Sequence, residues 1–207
     1  MSTIVLDTIE DRLTSRQVAV SGLGYQWVLQ DTLNASADSS FTIHGNGFDQ
    51  GLDGVEFLDD YEYLLTGEGV YGNTDSAYLQ GHLYEPSQRN AANDYVNSYF
   101  GHSGGTGAEG TSSGTFGSLC SSTWGTSIQE SCVFETHIRG VKAGQRTHWW
   151  SNSTGEINAG TIKAFSAQVW AYDAGGNSSI LKADHLVAFP SAGPVTGLFK
   201  LYSRKAL

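Results

Sequence analysis

Residues 55–65, VEFLDDYEYLL, carry the pattern that decides the fold class. Most apolar and aromatic residues of this stretch fall on one parity, and most acidic residues fall on the other. The apolar parity holds Val55, Phe57, Tyr61, Tyr63 and Leu65, and the acidic parity holds Glu56, Asp60 and Glu62. Successive side chains of a β-strand point to opposite faces, so this alternation predicts a strand with one buried face and one solvated face.

Similar segments recur along the chain, whereas helical periodicity is scarce. They are separated by clusters of Gly, Asn, Asp and Ser, which are typical turn residues. We predict strands at 2–9, 16–20, 25–29, 41–44, 55–65, 76–84, 131–141, 145–151, 161–173, 184–189 and 197–204. About ten strands at this spacing indicate an all-β protein, which we expect to be a jelly-roll-like antiparallel β-sandwich.

Two polar stretches are predicted to be loops. Residues 31–40 are mostly small and polar, and residues 101–118, GHSGGTGAEGTSSGTFGS, consist largely of Gly and Ser. Glycine loses much conformational entropy when it becomes ordered, so the second stretch is predicted to be a long mobile loop. We therefore divide the chain into an extended N-terminal arm, 1–35, and a β-sandwich domain, 36–207.

The charge balance argues against several partners. Lys and Arg total 11 and Asp and Glu total 21, which gives a net charge of −10. Nucleic acids and anionic membrane surfaces both attract basic residues, so neither is an expected partner. No stretch approaches the roughly 20 apolar residues of a membrane span. The opening residues lack a signal-peptide pattern, so we expect the chain to remain in the cytoplasm where it is made, or to leave it by lysis.

The residues that usually bind metals or form disulfides give no site. In a reducing compartment, Cys120 and Cys132 are expected to be buried thiols rather than a disulfide. The six histidines have no metal-ligand spacing, and the sequence contains no calcium loop of the D-x-D-x-D-G type. No cofactor and no metal are therefore expected.

Catalytic motifs are also weak. Residues 110–114, GTSSG, match G-x-S-x-G, but a nucleophile elbow needs a strand before the serine and a helix after it. Asp60 and Glu62 are predicted to share a strand face with their side chains on the order of 7 Å apart, which leaves a glycan depolymerase open as an alternative. We do not expect an enzyme, because nothing near these carboxylates indicates the apolar pocket that would distinguish an acid from a base.

The tryptophans mark candidate contact surfaces. Trp149 and Trp150 are adjacent on a predicted strand, so one must face the core and the other must face outward. The outward ring predicts either a stacking platform for a sugar or a partner, or a buried subunit contact, and both readings stay open. Trp170 and Tyr172 are predicted to be packing residues, and Trp27 is predicted to anchor the N-terminal part to a partner.

Three stretches carry a family resemblance: STIVLDTIEDR at 2–12, LDDYEYLLTGEGVYGNTDSAYLQGHLY at 58–84, and HLVAFPSAGPVTGLFKLYSRKAL at 185–207. In this order they resemble the tail-fibre, appendage and capsid-decoration proteins of tailed bacteriophages. The last stretch is similar to the terminal hairpin of many phage virion β-sandwich domains. Its matching positions are Phe189, Gly193, Val195, Gly197, Phe199, Leu201 and Tyr202. The spacing is altered, and Ser203 stands where the family usually has a final Gly.

This resemblance implies a structural protein of the virion, assembled in the host cytoplasm. We expect a homotrimeric fibre, spike or tail-appendage module that contributes to host-surface attachment, with other virion proteins as partners. The arm would attach by strand addition. Its expected attachment and oligomer contacts are Ile4, Val5, Leu6, Ile9 and Trp27. Two alternatives stay open: a capsid decoration protein, and a glycan-binding module that presents Trp149 or Trp150 to a host surface glycan.

Overall fold

The computed structural model describes residues 26–49, 55–85, 88–89, 95–103, 106–141, 147–157, 161–171 and 184–206. These ranges contain 14 strands and one short 3-10 helix, Ile128–Glu130. The strands are β1 (Val28–Asp38), β2 (Phe41–His44), β3 (Gly47–Asp49), β4 (Tyr61–Gly72), β5 (Ala77–Glu85), β6 (Gln88–Arg89), β7 (Tyr95–Ser103), β8 (Thr106–Gly114), β9 (Gly117–Trp124), β10 (Cys132–Arg139), β11 (His148–Ile157), β12 (Thr161–Ala171), β13 (His185–Pro190) and β14 (Val195–Lys205). The all-β prediction is confirmed. Within the described ranges no helix is long and apolar enough to cross a membrane.

The strands form two antiparallel sheets that pack face to face. The larger sheet has eight strands in the order β1-β14-β4-β10-β11-β12-β7-β8. The smaller sheet has the order β3-β2-β13-β5-β6, and β9 also pairs with β5. The side chains between the two sheets form the hydrophobic core.

Eight of these strands have the strand order of a jelly roll. The first strand, β1, pairs with the last, β14, and β2 pairs with β13. The chain then adds β4 beside β14 and β5 beside β13, followed by β10 beside β4 and β9 beside β5. The result is one four-stranded set, β1-β14-β4-β10, facing a second, β2-β13-β5-β9. The predicted jelly-roll-like sandwich is therefore confirmed.

Two inserted hairpins widen one sheet of this jelly roll. The β7–β8 hairpin lies between β5 and β9 in the chain, and the β11–β12 hairpin lies between β10 and β13. Both hairpins join the larger sheet beyond β10. The larger sheet consequently extends past the β5–β9 edge of the smaller one, and we call this part, β12, β7 and β8, the overhang.

The alternating patterns predict most of the central strands correctly. In β10, Phe134 and Ile138 are buried, while His137 and Arg139 lie on the opposite face, as predicted. In β14, Phe199 and Leu201 lie on one face, and both are fully buried. The strong alternation of these strands places large apolar side chains on one face, where they gain the free energy of burial.

The predicted loop at 31–40 is wrong, because β1 occupies most of it. Eight positions of β1 pair with β14, from Val28 opposite Ser203 to Asp38 opposite Val195. Small polar residues give little alternation signal, but β14 supplies the backbone hydrogen bonds that hold them in a strand. The predicted domain boundary after residue 35 falls inside β1, so residues 28–35 are part of the larger sheet. Residues 1–25 of the predicted arm lie outside the described residues.

The predicted mobile loop at 101–118 is also wrong in its described part. Residues 101–103 end β7, residues 106–114 form β8, and β9 begins at residue 117. β8 pairs with β7 along its whole length. Close packing explains some of its glycines, since a β-carbon at Gly117 would overlap the buried ring of Trp149.

The predicted strand at 55–65 starts later than expected. β4 begins at Tyr61, so Val55 and Phe57 precede the strand. Phe57 is nevertheless buried, and its backbone N–H donates a hydrogen bond to the carbonyl of Asp184. Val55 is exposed, which contradicts its predicted inward position.

Replacing Gly117 with Ala is expected to destabilise the fold. The new β-carbon would overlap the Trp149 ring and would lie 2.6 Å from Val169 Cγ1, and both side chains are fixed in the core. We expect the free energy of unfolding to fall by about 1–3 kcal/mol, as for other overpacked cores. Urea unfolding followed by tryptophan fluorescence measures this change.

Gly114→Ala is the matched control, because nothing lies within 4 Å of a β-carbon at Gly114. Its free energy of unfolding should stay unchanged or rise by up to about 1 kcal/mol. Equal losses in the two variants would contradict the close packing of Gly117 against Trp149.

Candidate functional site

The outer face of the larger sheet carries a row of stacked aromatic rings. Outward residues of β10 and β11 lie opposite each other, and His137 pairs with Trp150. Their rings are nearly parallel, with an interplanar angle of 4° and a centroid distance of 4.6 Å. Trp27, just before β1, approaches His137 edge-on at 5.7 Å. The cross-strand register therefore assembles rings that are far apart in sequence.

A second stacked pair continues the row toward the overhang. His148 on β11 lies opposite Trp170 on β12, and their rings stack at 4.6 Å. A small cleft of about 200 Å³ is lined by Trp150, Gln168 and Trp170 together with their neighbours on β11. We call Trp27, His137, Trp150, His148 and Trp170 the outer-face ladder.

Charged side chains contact the rings at one end of the outer-face ladder. Glu62 lies between two arginines, with Oε1 2.8 Å from Arg139 Nε and Oε2 2.7 Å from Arg204 Nη2. The two guanidinium groups in turn cover rings, since Arg139 lies 4.7 Å from the Trp150 ring centre and Arg204 lies 4.4 Å from that of Trp27. A guanidinium over an aromatic face is a favourable cation–π contact.

This arrangement lowers the pKa of His137. Burial lowers the pKa of its imidazole most, and Glu135 opposes that shift. Arg139 and Arg204 lower the pKa further, while Glu62 raises it. His137 therefore takes up a proton less readily than an imidazole in water, and its uncharged ring suits stacking on Trp150.

The two adjacent tryptophans face opposite sides, as predicted, but only one is accessible. Trp149 is buried, and its Nε1–H donates a hydrogen bond to the Ser118 carbonyl at 2.7 Å. Of the two candidates for an exposed platform, Trp149 is therefore the one that faces the core. Trp150 is half-buried and faces outward in the ladder.

Trp170 corrects another prediction. It is predicted to be a packing residue, but 40% of its surface is exposed on the outer face. The inward positions of β12 hold Ala167 and Val169 instead. The parity of a strand groups residues by face, but it does not say which face is the core when both contain apolar residues. Tyr172 lies outside the described residues.

The predicted attachment residues are only partly described. Ile4, Val5, Leu6 and Ile9 lie outside the described residues. Trp27 packs against His137 and Arg204 of its own chain, so it ties the start of β1 to the larger sheet. A contact between Trp27 and a partner stays a prediction.

The predicted carboxylate pair is not arranged as expected. Asp60 lies in the turn before β4, where its backbone carbonyl accepts a hydrogen bond from Ala206 N. Glu62 lies on β4 with both carboxylate oxygens engaged by arginines. The two residues therefore do not share a strand face. Residues 110–114 of the G-x-S-x-G match lie within β8 rather than at a turn between a strand and a helix.

Three buried or nearly buried histidines lie on the outward parity of the smaller sheet. The ring centres of His44 and His185 are 5.3 Å apart, and His185 stacks on Tyr84 at 5.2 Å. His82 lies on the other side of Tyr84, also at 5.2 Å. Across the part of the chain that the structure describes, no three His, Cys, Asp or Glu side chains come together as a metal site.

The two thiols lie in the core between the sheets. Cys120 on β9 and Cys132 on β10 are buried and unbridged, with their sulfur atoms 3.6 Å apart. The hydrogen bond with Cys120, together with burial, raises the pKa of Cys132 well above its ordinary value. The prediction of buried thiols is confirmed, and the raised pKa keeps Cys132 in its unreactive protonated form.

A groove of about 420 Å³ lies between the overhang and the β5–β9 edge of the smaller sheet. Aromatic rings and uncharged polar side chains line it. Its lining residues are Tyr78, Gln80, Asn97, Tyr99, Ser112, Gly114, Thr115, Phe116, Ser118, Thr123, Phe165 and Ala167. No groove was predicted from the sequence at this place. The alternation of Tyr95, Asn97 and Tyr99 in β7 is the signal that could have indicated its wall.

Comparison with protein-family models, curated proteins and solved structures found no match to this chain. Its function is therefore inferred from the residues and their geometry.

Glu62→Gln is expected to destabilise the fold and to lower the pKa of His137 further. The substitution leaves two arginines facing each other without the charge between them, and only 14% of the Glu62 side chain is exposed. We expect the free energy of unfolding to fall by roughly 1–2 kcal/mol. Because Glu62 raises the pKa of His137, an NMR titration of its imidazole should give a lower value in the variant.

Glu68→Gln serves as the control on the same strand. Glu68 pairs with Lys200 at 2.7 Å, but 55% of its side chain is exposed. Removing this exposed pair should leave both the stability and the His137 titration nearly unchanged. An unchanged His137 titration in Glu62→Gln would contradict the electrostatic role assigned to Glu62.

The buried histidines predict a loss of stability in acid. Burial and the neighbouring His44 lower the pKa of His185 below its ordinary 6.5, and Glu56 opposes the shift. The unfolded chain therefore takes up this proton at a higher pH than the folded one, so stability falls as the pH drops below 6.5 toward the folded pKa. His185→Phe should lose less stability than the native chain between about pH 7.5 and about pH 5.5.

Urea unfolding at the two pH values measures the difference. Val187→Ala, two residues along β13 on the same face, is the control, because it changes packing without changing a titrating group. It should retain the native dependence of stability on pH. The same dependence in His185→Phe would show that His185 does not contribute.

Proposed function

We propose that the chain is a homo-oligomeric structural protein of a tailed-bacteriophage virion, assembled as a trimeric fibre, spike or tail-appendage module. Jelly-roll sandwiches recur among viral capsid domains and lectins, and this supports the proposed role. The sequence resemblance at 2–12, 58–84 and 185–207 supports the same class. We expect residues of the arm to attach the module to other virion proteins.

The outer face of the larger sheet is the observation that carries the proposal of self-association. It presents four large apolar side chains to solvent: Phe100 and Ile162, which are 64% and 60% exposed, together with Val133 and Trp170. Beside them lie the other rings of the outer-face ladder and the two arginines, Arg139 and Arg204, that cover Trp150 and Trp27. Aromatic residues and arginine are enriched in subunit interfaces.

Small uncharged side chains also favour contact between copies on this face. The chain has a low charged fraction of 15%. The strands of the overhang add small uncharged side chains to the outer face, such as Ser98, Ala164 and Ser166. Small side chains of this kind let two copies approach closely, with the carboxylates of Glu109 and Glu156, which lie opposite Phe100 and Ile162, at the rim of the contact.

The solution mass of the full chain tests self-association. Light scattering after size-exclusion chromatography should give about three times the 22.2 kDa of one chain. Phe100→Lys with Ile162→Lys should yield monomers, because two charges would have to be buried in the contact. Both new lysines lie opposite a glutamate in the sheet, Glu109 and Glu156 respectively, which favours retention of the fold.

Val55→Lys with Leu58→Lys is the matched control, since these exposed apolar residues precede β4 and lie off the sheet face. It should keep the native mass. A monomeric native chain would refute self-association, and a native mass in both variants would move the contact away from the outer face.

The virion role has its own test. Mass spectrometry of purified phage particles should detect the chain, and gold-labelled antibody should mark the tail in electron micrographs. Label over the head would transfer the proposal to capsid decoration, and absence of the chain from particles would refute the virion role.

A further inference from the structure

We propose that the groove between the overhang and the β5–β9 edge binds a neutral saccharide. This inference goes beyond the virion role and concerns one chain alone, so it holds whether or not copies associate. It also places a glycan site on the opposite side of the larger sheet from Trp150, where the sequence predicted one.

The aromatic rings of the groove supply the apolar half of the recognition. Tyr78, Tyr99, Phe116 and Phe165 all line it. The face of an aromatic ring carries partial negative charge, and the C–H groups on one face of a pyranose carry partial positive charge, so the two surfaces attract as well as exclude water. An ordinary apolar core would not leave such rings beside open space.

Tyr99 is the most accessible of these rings. It belongs to the inward parity of β7, yet 37% of its surface is exposed because the smaller sheet ends before it. Its ring meets Phe165 edge-on with centroids 6.3 Å apart. A β-carbon at Gly110 would come within 2.6 Å of the Tyr99 hydroxyl, so the glycine in β8 provides the space in which this ring lies.

Polar side chains of the groove supply the hydrogen-bonding half of the recognition, and hydrogen bonds within the chain fix some of them in place. Asn97 donates to the Phe116 carbonyl at 3.3 Å and accepts from Ser118 N at 2.8 Å, so it holds the start of β9 against β7. Gln80 Nε2 donates to the Tyr78 hydroxyl at 3.1 Å. Gln80 is partly buried in the wall of the groove, where its amide can hydrogen-bond to a sugar hydroxyl.

The charge of the groove selects the class of saccharide. Among the described residues that line it, none is Asp, Glu, Lys or Arg. One cation lies nearby: the Lys163 ammonium, which donates to the Thr123 hydroxyl at 3.1 Å, adds a single positive charge. Phosphorylated and polyanionic ligands would therefore meet little compensating charge, and the net charge of −10 repels them further. Hydroxyl-rich neutral ligands need no such compensation.

The size of the groove agrees with this ligand. Its volume of about 420 Å³ lies within the roughly 300–1,000 Å³ of small-molecule pockets, and it is open along one side. A mono- or disaccharide unit fits such a groove while the rest of a longer glycan stays in solvent.

Saturation-transfer NMR and calorimetry on the full chain test the proposal. The probes are maltose, cellobiose, lactose and diacetylchitobiose, with sialyllactose as the acidic counterpart of lactose. We expect at least one neutral disaccharide to bind with a Kd on the order of 1 mM. Tyr99→Ala should weaken that binding roughly tenfold, and Tyr99→Phe should retain most of it because the ring is kept.

Trp170→Ala is the matched control, because Trp170 is an aromatic side chain of similar exposure, 40%, on the outer face of the neighbouring strand. It should bind as the native chain does, and circular dichroism should show that all three variants are folded. Absence of binding to every neutral probe would overturn the proposal. So would preference for sialyllactose over lactose, or loss of binding in Trp170→Ala with retention in Tyr99→Ala. None of these results bears on the oligomeric state, so this proposal can fail without the virion role.

Discussion

The whole sandwich depends on the position of the last strand. β14 lies between β1 and β4, so the C-terminal residues occupy the middle of one half of the jelly roll rather than its edge. Phe199 on this strand contacts rings from both sheets, with centroids 4.7 Å from Phe41 and 6.2 Å from Phe134. The first and last strands must therefore meet before either half of the core is complete. Such pairing between distant parts of a chain is typical of proteins that fold slowly.

The two inserted hairpins supply most of the residues of the outer-face ladder and of the groove. Because β11, β12, β7 and β8 extend the larger sheet, the outer face of the extension carries part of the ladder, and its inner face forms the wall of the groove that the smaller sheet does not cover. Trp149 on β11 connects the two: its ring packs in the core beneath β9, while the next residue, Trp150, stacks in the ladder. The jelly roll positions these surfaces, and the inserted hairpins supply most of the side chains that they expose.

Sequence patterns predicted several strands in which large apolar residues alternate with polar ones, such as β10 and β14, but no strand was predicted at β7 or β9. They failed in β1 and β8, whose small polar residues carry no such signal and whose backbones are held by the neighbouring strands. They also misplaced Trp170, since both faces of β12 hold apolar residues and only the packed structure shows which one is covered. The groove was beyond prediction for a related reason. Its walls come from β5, β7, β8, β9 and β12, and their meeting depends on tertiary packing.

The two edges of the larger sheet differ in regularity. In the described residues β8 has β7 as its only neighbour, and β8 is built mostly from Gly, Ser and Thr with one Glu. At the other edge, the register of β1 shifts twice and Ala37 has a φ of 60°, which makes this edge irregular. Regular edges template the addition of further strands, whereas bulges and other irregularities discourage it. The β1 edge is therefore the better protected of the two, since β8 pairs regularly with β7 along all nine of its residues.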